Sequence, residues 1–475
     1  MIRILPRPQH IEEREGRLLL DYHCRITMDS SCPSEVFFYA SQLAEQLKKS
    51  SGIELLIDRR ASGAHKGIVL CMSEEAGITR ENKKEKEAYR LEITPEGVTV
   101  CAAEKEGLFN GVQTLRQLII QYGSSLPCLY IEDYPELSVR GWFMDVTRGR
   151  IPKMTYLKEL ADRCSLYKIN QLHLYIEHTF LFDGLSEVWR DDTPLTAQDI
   201  LEFDAYCAER NIELVPSVAT FGHLYKVLRT KTFHELSEVE EAEGTAFSFY
   251  ERMCHHTLNS TDDRAYELVC RLIDEYSPLF RSNLFNINCD ETFDLGRGRG
   301  KERADEIGSH VMYVQWVNRI CEHVKAIGKR PMFWGGILEN CRYQVAEREV
   351  TAFWEKYDEQ TENSQKQIEF CNEAIRNDMA KVSALLVGIE EGKRKYIAPI
   401  LHMAEGQILI NTMFGVIKNV HDGQQNPCTD KRALAEAFEI WYYEYRRQWH
   451  KISRESELYR IGELIFWLAD YIREL

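Results

Sequence analysis

From about residue 140 to about residue 355 the chain alternates short apolar segments with helical ones, and no other feature restricts its fold as strongly. Apolar strands that alternate with amphipathic helices are typical of parallel strands in an α/β architecture, because helices then cover both faces of the sheet. The clearest helix follows the first strand, and its apolar face is formed by Leu157, Leu160, Ala161, Cys164 and Tyr167. The predicted strands are Arg140 to Val146, Gln171 to Glu177, Ile212 to Ala219, Leu284 to Asp290, Pro331 to Gly336 and Val350 to Glu355.

Repeated units of this kind predict a (β/α)8 barrel, in which the active site lies at the carboxyl ends of the strands. The sequence supplies about six such strands instead of eight. From about residue 358 the pattern is helical, since Glu369 to Leu386 is amphipathic and Gln407 to Ile417 favours a helix over a strand. The predicted fold class is therefore α/β, with an incomplete TIM-barrel-like (β/α) domain and a helical C-terminal region.

Residues 1–137 predict a separate, small α+β domain. Tyr89 to Thr94 alternates as a strand, and Gly97 to Ala102 follows a turn as its hairpin partner. Glu35 to Ser50 has helical spacing, and Ile131 to Glu136 has the composition of a linker. The predicted domains are residues 1–137, the barrel-like domain of residues 138–357 and the helical region of residues 358–475.

Composition and charge narrow the classes of partner. The 475 residues carry a net charge of −16, which repels polyanions and disfavours nucleic acid as a partner. The longest apolar runs fall short of the ~18–20 residues that a membrane span needs, so no membrane span is predicted. A secretory leader is not visible, and the 14 cysteines are scattered without a CxxC pair, so reduced thiols in a cytoplasm are expected. Cys254-His255-His256 lacks a second ligand pair at metal spacing, and neither a metal nor a cofactor is predicted.

The adjacent carboxylates Asp290 and Glu291 follow the fourth predicted strand. Glycoside cleavage needs one carboxylic acid to protonate the leaving oxygen, and usually a second carboxylate to manage the positive charge at C1. An Asp-Glu dipeptide alone is common on protein surfaces. Its place directly after an apolar strand is what indicates chemistry.

Several further motifs occur together with this pair, and with them the chain resembles family 20 glycoside hydrolases, the β-N-acetylhexosaminidases, in particular a bacterial intracellular branch. The resemblance covers about the first three quarters of the chain and gives the N-terminal region as the family's non-catalytic α/β domain. It rests on Leu5-Pro-Arg-Pro-Gln-His-Ile, Glu87-Ala-Tyr-Arg-Leu-Glu-Ile-Thr, Gly107-Leu-Phe-Asn-Gly-Val-Gln-Thr-Leu-Arg-Gln-Leu, Arg140-Gly-Trp-Phe-Met-Asp-Val-Thr-Arg148, Tyr167-Lys-Ile-Asn170, Phe221-Gly-His223 and Asn288-Cys-Asp-Glu-Thr292.

The resemblance implies roles for four residues. Glu291 is the general acid/base, and Asp290 holds the N–H of the substrate's 2-acetamido group, whose carbonyl oxygen attacks C1 and gives an oxazolinium intermediate with retention. Arg148 grips the sugar hydroxyls at C3 and C4, and His223 sits against the catalytic pair. The implied substrate is an oligosaccharide or glycoconjugate with a terminal β-linked GlcNAc or GalNAc; the sequence does not distinguish between these two sugars or a modified form such as a sulfated GlcNAc.

Four more residues are carried over with less direct correspondence. Trp334 and Trp354 end the fifth and sixth strands, where the family walls the acetamido pocket with tryptophan. After strand two, many family members carry two aspartates, and this chain has Glu177-His178 in their place, so either residue is a candidate for the supporting role.

The chain departs from the family after Trp354, where the last two βα units of the barrel are missing and a helical region begins. Such a barrel has two open edges that need covering, which predicts a homodimer; a strictly monomeric mass in light scattering would contradict it. Two functions follow: an active exo-acting β-N-acetylhexosaminidase, or a degenerate relative that binds sugar or a partner without turnover. An unrelated α/β enzyme with a chance Asp-Glu pair is the third reading.

Overall fold

The structure is a computed structural model that describes residues 2–60, 66–80, 83–240, 255–334, 364–386, 397–421, 430–454 and 458–475. Within these residues the chain forms an N-terminal α/β domain, a parallel sheet with helices and a C-terminal group of helices. Each of the three has a hydrophobic core of its own. The predicted α/β fold class is confirmed.

The N-terminal domain is a seven-stranded mixed sheet in the order β1-β9-β7-β8-β4-β2-β3, covered by two helices. Its strands are β1 (His10–Leu19), β2 (Arg25–Asp29), β3 (Leu56–Arg60), β4 (Gly67–Met72), β7 (Tyr89–Thr94), β8 (Gly97–Ala102) and β9 (Ser125–Asp133), with a separate small ribbon of β5 (Thr79–Arg80) and β6 (Lys83–Lys84). Its helices are α1 (Val36–Ser51) and α2 (Lys105–Tyr122). The predicted β7–β8 hairpin is confirmed by its antiparallel register.

The predicted linker at Ile131 to Glu136 is wrong over its first three residues. Ile131 belongs to β9, which runs to Asp133 and pairs antiparallel with β1 on one side and β7 on the other. The side chains of β9 alternate between buried and half-buried positions, with Ile131 fully buried. Charged residues beside a Pro suggest a linker, but in the strand Glu132 lies on the half-buried face, while Asp133 is buried and accepts a hydrogen bond from Lys168.

The second domain contains five parallel strands that are hydrogen-bonded in chain order. They are β10 (Gly141–Asp145), β11 (Gln171–Ile176), β12 (Glu213–Val218), β13 (Leu284–Asn286) and β14 (Arg330–Met332). The helices between and after them are α3 (Met154–Leu166), α4 (Ser186–Trp189), α5 (Ala197–Ala208), α6 (Tyr225–Leu228), α7 (Asp263–Tyr276), α8 (Lys301–Ile307) and α9 (Ser309–Ala326). The sixth predicted strand, Val350 to Glu355, lies outside the described residues. Among the described strands, β10 and β14 each have one edge without a strand neighbour.

The fourth predicted strand is shorter than expected. It was predicted from Leu284 to Asp290, but β13 ends at Asn286. The backbone then enters the left-handed region at Asn288 and Cys289, which takes the chain out of the extended conformation that a strand needs. The catalytic candidates therefore lie in a turn beyond the strand.

The C-terminal region is helical, as predicted, in the residues that the structure describes. Its helices are α10 (Ser364–Leu386), α11 (Ala398–His421), α12 (Lys431–Ile452) and α13 (Leu458–Glu474). The segment Gln407 to Ile417 lies inside α11, so the preference for a helix is confirmed. The stretch Ala398–Ile417 is also long and apolar enough to cross a membrane by length and composition, with a mean hydropathy of 1.3 and 28% of it buried. This helix packs against α10 and α12, and the absence of a membrane span stays a prediction.

A buried charge cluster joins the N-terminal domain to the second domain. The Nζ of Lys168 donates to Asp133 Oδ2 and to the Tyr89 hydroxyl, both at 2.9 Å. The side chains of Lys168 and Asp133 are only 6% and 11% exposed. Burial lowers the pKa of Lys168, and the neighbouring Asp133 carboxylate opposes that shift. Beside it, Arg140 forms an ion pair with Glu87.

Candidate active site

The turn that carries Asp290 and Glu291 has an unusual backbone. Asn288, Cys289 and Glu291 have φ angles of 56°, 63° and 56°, in a region that residues other than glycine rarely adopt. Such conformations persist only where the surroundings hold them, and they cluster at functional sites. Of the four residues 288–291, three therefore have backbone conformations that the rest of the chain must stabilise.

Side chains from three other segments contact the main-chain carbonyls of this turn. The Thr220 hydroxyl donates to Ile287 O at 2.6 Å, and the Tyr313 hydroxyl donates to Cys289 O at 2.7 Å. The Nε2 of His256 lies 2.5 Å from Glu291 O, and since a carbonyl only accepts, this nitrogen carries the proton. His256 is 2% exposed, and burial lowers its pKa, which is consistent with a neutral ring. These contacts fix the direction in which Glu291 leaves the turn.

The loop after β12 approaches the same turn closely. A Cβ added at Gly222 would lie 2.4 Å from Asp290 O, so only glycine fits there without displacing the backbone. The next residue, His223, has a φ of 65° and is 8% exposed. The close approach at Gly222 brings the ring of His223 against the catalytic pair.

His223 lies between three carboxylates. Its Nε2 is 3.4 Å from Asp290 Oδ2 and 3.3 Å from Glu291 Oε2, and its Nδ1 is 3.6 Å from Glu177 Oε1. Burial lowers the pKa of His223, but the hydrogen bond to Asp290 and the charges of Glu177 and Asp290 outweigh it, so the net shift is upward. The surrounding carboxylates therefore favour the protonated form of the imidazole.

Glu177 stands on the opposite side of His223 and is held by Arg148 and His178. It is 4% exposed, forms an ion pair with Arg148, and its Oε2 lies 3.6 Å from His178 Nδ1. The hydroxyl of Tyr175 donates to Glu177 Oε1 at 3.1 Å. Burial alone would raise the pKa of Glu177, but His178, Arg148 and His223 together lower it to about 2. This carboxylate is therefore ionised throughout the ordinary pH range.

Arg148 reaches the site from the loop after β10. Its guanidinium also donates to the Thr147 hydroxyl at 2.7 Å, and its Nε lies 3.7 Å from Asp145 Oδ2. The side chain is still 40% exposed, so part of the guanidinium faces solvent. Burial lowers its pKa, but the charges of Glu177 and Asp145 raise it by more, which keeps Arg148 a permanent cation.

Trp334 borders the site through the same turn. Its Nε1 donates to Asn288 Oδ1 at 3.1 Å, and its ring packs edge-on against Phe143 at a centroid distance of 4.9 Å. Trp334 is 38% exposed. The other predicted tryptophan, Trp354, lies outside the described residues.

The two catalytic candidates themselves are open to solvent. The side chain of Asp290 is 29% exposed and that of Glu291 is 44% exposed. Oδ1 of Asp290 is buried and has no hydrogen-bond partner among the described residues. One ligand atom each of His223, Asp290 and Glu291 lies within 4.8 Å of the others, a spacing that a cation would also suit, and the absence of a metal stays a prediction.

The structure thus brings together Arg148, Glu177, His178, His223, Trp334, Asp290 and Glu291, and the catalytic and binding roles assigned to them stay predictions. Sequence reasoning missed the residues that support the site. The sequence marks His256 only through the Cys254-His255-His256 motif, and no motif marks Asp294, which accepts from the backbone of residues 256 and 257. The sequence signal for these residues is weak, because each contacts a main-chain group, and every residue in a chain has such groups. Tyr175 and Tyr313 were likewise missed.

Two family models match the chain. "Glycosyl hydrolase family 20, domain 2" matches residues 1–134, and "Glycosyl hydrolase family 20, catalytic domain" matches residues 138–375. A β-hexosaminidase of Vibrio furnissii is 24% identical over 371 residues, which are 70% of this chain and 56% of that protein. A β-hexosaminidase of Porphyromonas gingivalis is 22% identical over 376 residues, which are 71% of this chain and 46% of that protein. The chain spans about half the length of these two relatives.

Solved structures support the same fold. The chitobiase of Flavobacterium johnsoniae superposes with a TM-score of 0.60 at 20% identity, over 70% of this chain and 52% of that one. The family 20 β-N-acetylhexosaminidase of Streptomyces coelicolor gives a TM-score of 0.57 at 25% identity, over 70% and 66%. With the catalytic-domain model matching half of its length and a second model of the same family matching its N-terminal domain, the chain belongs to glycoside hydrolase family 20.

Proposed function

We propose that this chain is an exo-acting, retaining β-N-acetylhexosaminidase that removes terminal β-linked GlcNAc or GalNAc by substrate-assisted catalysis. The observation that carries the proposal is the geometry of the catalytic pair. Asp290 and Glu291 project side by side from a left-handed turn, and both lie within 3.4 Å of His223. The names of the two bacterial relatives, both β-hexosaminidases, support the same reaction class.

Each of the two carboxylates has the surroundings that its proposed role needs. Asp290 keeps one buried oxygen without a partner among the described residues, and an acetamido N–H would satisfy it. Holding that N–H orients the acetamido oxygen toward C1 and stabilises the positive charge that develops on the ring. Glu291 is the more exposed of the pair, as an acid that must reach the oxygen between two sugars should be.

His223 and Arg148 complete the proposed mechanism. A charged His223 links the buried Glu177 carboxylate to the catalytic pair and keeps both carboxyl groups in place. Arg148, fixed by Glu177 and still partly exposed, donates to the hydroxyls of the terminal sugar. The terminal residue is thereby bound from the side of Arg148 and cleaved on the side of Glu291.

The test compares wild type with Glu291→Gln on two substrates, N,N′-diacetylchitobiose and p-nitrophenyl β-GlcNAc. Loss of a general acid/base costs about 10²–10⁴ in rate. The loss should be larger on the disaccharide, because a sugar alkoxide is a poorer leaving group than p-nitrophenolate and needs the proton more. Equal losses on both substrates would argue against Glu291 as the acid.

A second measurement addresses the nucleophile. Replacing the acetyl group of p-nitrophenyl β-GlcNAc by trifluoroacetyl weakens its carbonyl oxygen, and hydrolysis should slow strongly if that oxygen attacks C1. A comparison of p-nitrophenyl β-GlcNAc with p-nitrophenyl β-GalNAc measures which configuration at C4 of the sugar the protein prefers. A folded wild type that hydrolyses neither sugar would support the alternative of a family member that binds sugar or a partner without turnover.

We further propose a cytoplasmic location and a homodimer. The cysteines in the described part of the chain are free thiols, which suits a reducing compartment. The outer edges of β10 and β14 lack strand neighbours among the described residues, and Trp142 on β10 is 49% exposed. A monomeric mass in light scattering would rule out the dimer, and the location requires cell fractionation.

A further inference from the structure

The loop that carries Arg148 is bonded to the end of helix α12, far away in sequence. Two backbone hydrogen bonds join them: Lys153 N–H donates to Ile452 O at 2.8 Å, and Arg454 N–H donates to Ile151 O at 2.7 Å. Between them, Pro152 and Ser453 form an antiparallel bridge. Below, residues 148–153 are called the arginine loop and residues 449–454 the α12 terminus.

Side chains reinforce this contact on both strands of the bridge. Arg150 Nε donates to Ser453 Oγ at 2.7 Å, and its guanidinium lies over the ring of Trp449 at 6.0 Å. Lys153 Nζ donates to His450 O, and Trp449 Nε1 donates to Arg454 O at 2.6 Å. Ile151 and Ser453 are fully buried, so the contact excludes water and is part of the folded structure.

The α12 terminus also contacts the segment that follows Glu177 and His178. Arg454 Nη1 donates to Pro194 O at 2.8 Å, and its Nη2 lies 2.8 Å from Asp199 Oδ2. The residue after Pro194, Leu195, bonds through its N–H to Thr179 O at 2.8 Å, two residues from Glu177. The α12 terminus therefore contacts both the loop that carries Arg148 and the segment that follows Glu177, and these two side chains form an ion pair.

The catalytic pair is supported from elsewhere. The turn of Asp290 and Glu291 is contacted by Thr220, Tyr313 and His256, and none of these contacts involves the α12 terminus. A disturbance at residues 449–454 should therefore move Arg148 relative to the sugar and leave the acid and the acetamido ligand in place. Its kinetic signature is weaker substrate binding with little change in the chemical step.

We propose that the α12 terminus, which lies beyond the segment matched by the family's catalytic-domain model, positions Arg148 for the terminal sugar, with Ser453 and Arg454 as positioning residues. The inference rests on the proposed function, in that Arg148 is the group that binds the pyranose hydroxyls. The C-terminal helices thereby set substrate affinity without contacting substrate.

The experiment measures kcat and KM on p-nitrophenyl β-GlcNAc and, in parallel, the Kd of N-acetylglucosamine by calorimetry. Arg454→Met and Ser453→Ala are the test variants, the second in case the first does not fold. Arg473→Met is the matched control, since the ion pairs of Arg473, with Glu439 and Asp470, are made within α12 and α13 and do not include the arginine loop. We expect KM and Kd to rise about tenfold in Arg454→Met, and less in Ser453→Ala, with kcat within about twofold.

A double-substitution cycle separates positioning from a general structural role. If Arg454 acts through Arg148, Arg454→Met adds no further rise in Kd to an Arg148→Ala background. Equal changes in Arg454→Met and Arg473→Met, a fall in kcat at unchanged Kd, or full additivity with Arg148→Ala would each overturn the inference. Sugar binding without turnover would overturn the proposed function alone, because the Kd comparison still tests the positioning; absence of binding by wild type would overturn both.

Discussion

Two clusters of buried charged side chains in this molecule are built from similar residue types but differ in their access to solvent. At the domain junction, Lys168 is enclosed by Asp133 and Tyr89, and both of its contacts are made within the chain. In the candidate active site, Glu177 is likewise enclosed, by Arg148, His178 and His223, but Oδ1 of Asp290 has no hydrogen-bond partner among the described residues and Glu291 faces solvent. The first cluster is closed and contributes to folding; the second is closed on one side and open on the other, and the open side is available for substrate.

The largest expected effect comes from opening the closed cluster. Lys168→Met leaves the Asp133 carboxylate buried without its cation, and removing one partner of a buried pair costs about 3–5 kcal/mol. Urea unfolding measures the loss. Lys158→Met is the control, because Lys158 forms an exposed pair with Glu202 that should contribute less than about 1 kcal/mol. Equal losses in both variants would mean that the junction cluster is not closed to water.

The second prediction concerns the closed side of the active site. Glu177→Gln removes the charge that fixes Arg148 and His223, and hydrogen bonds to charged groups contribute about 1.5–3 kcal/mol. We expect kcat/KM on p-nitrophenyl β-GlcNAc to fall by roughly 10- to 100-fold. The stability of the variant must be measured as well. A Glu177→Gln variant that loses activity only because it unfolds would show that both clusters contribute to folding alone.

The pH dependence of stability sharpens the same contrast. The folded pKa of Glu177, about 2, lies below its ordinary value of 4.5, so its contribution is present above that value and is lost as the pH falls toward 2. Wild type should therefore lose roughly 1–3 kcal/mol more stability than Glu177→Gln between about pH 5 and pH 2. Parallel urea midpoints for the two proteins across this range would contradict the assignment.

The smallest effects should come from the carbonyl contacts of the catalytic turn. His256→Ala removes the contact to Glu291 O, and a neutral hydrogen bond contributes about 0.5–1.5 kcal/mol, so kcat should fall roughly 2- to 10-fold. Tyr313→Phe removes the equivalent contact to Cys289 O, two residues earlier, and should cost less because Glu291 itself is not held by it. Identical kcat losses would mean that the turn responds as one rigid unit.

Much of the fold was predictable because its signals are periodic. The parallel strands, the hairpin of β7 and β8 and the C-terminal helices all follow from spacing that one sequence displays. The errors came where local signals and tertiary pairing disagree: Ile131 looks like part of a linker but pairs on both sides, and Leu284 to Asp290 looks like one strand although it bends after Asn286. A local sequence pattern predicts neither the pairing partners of a strand nor left-handed backbone angles.

The site was predictable to a similar depth. Side chains that the resemblance placed near the pair, such as Arg148, Glu177 and His223, do lie together, while the residues that hold them do not carry a local signature. His256, Tyr313 and the α12 terminus act on main-chain groups or on other supports. Their positions depend on how distant segments meet in space, which one sequence cannot reveal.

The close approach of Gly222 to the Asp290 carbonyl has a consequence for how this protein can change. A methyl group at residue 222 would overlap that oxygen, so the loop after β12 and the turn after β13 cannot be altered independently. Any lineage that replaced the glycine would need a reshaped acidic turn in the same step. In related chains, the Gly-His dipeptide is therefore a second marker of an intact site. Its loss beside a retained Asp-Glu pair would indicate a protein in which the acidic pair is no longer held for catalysis.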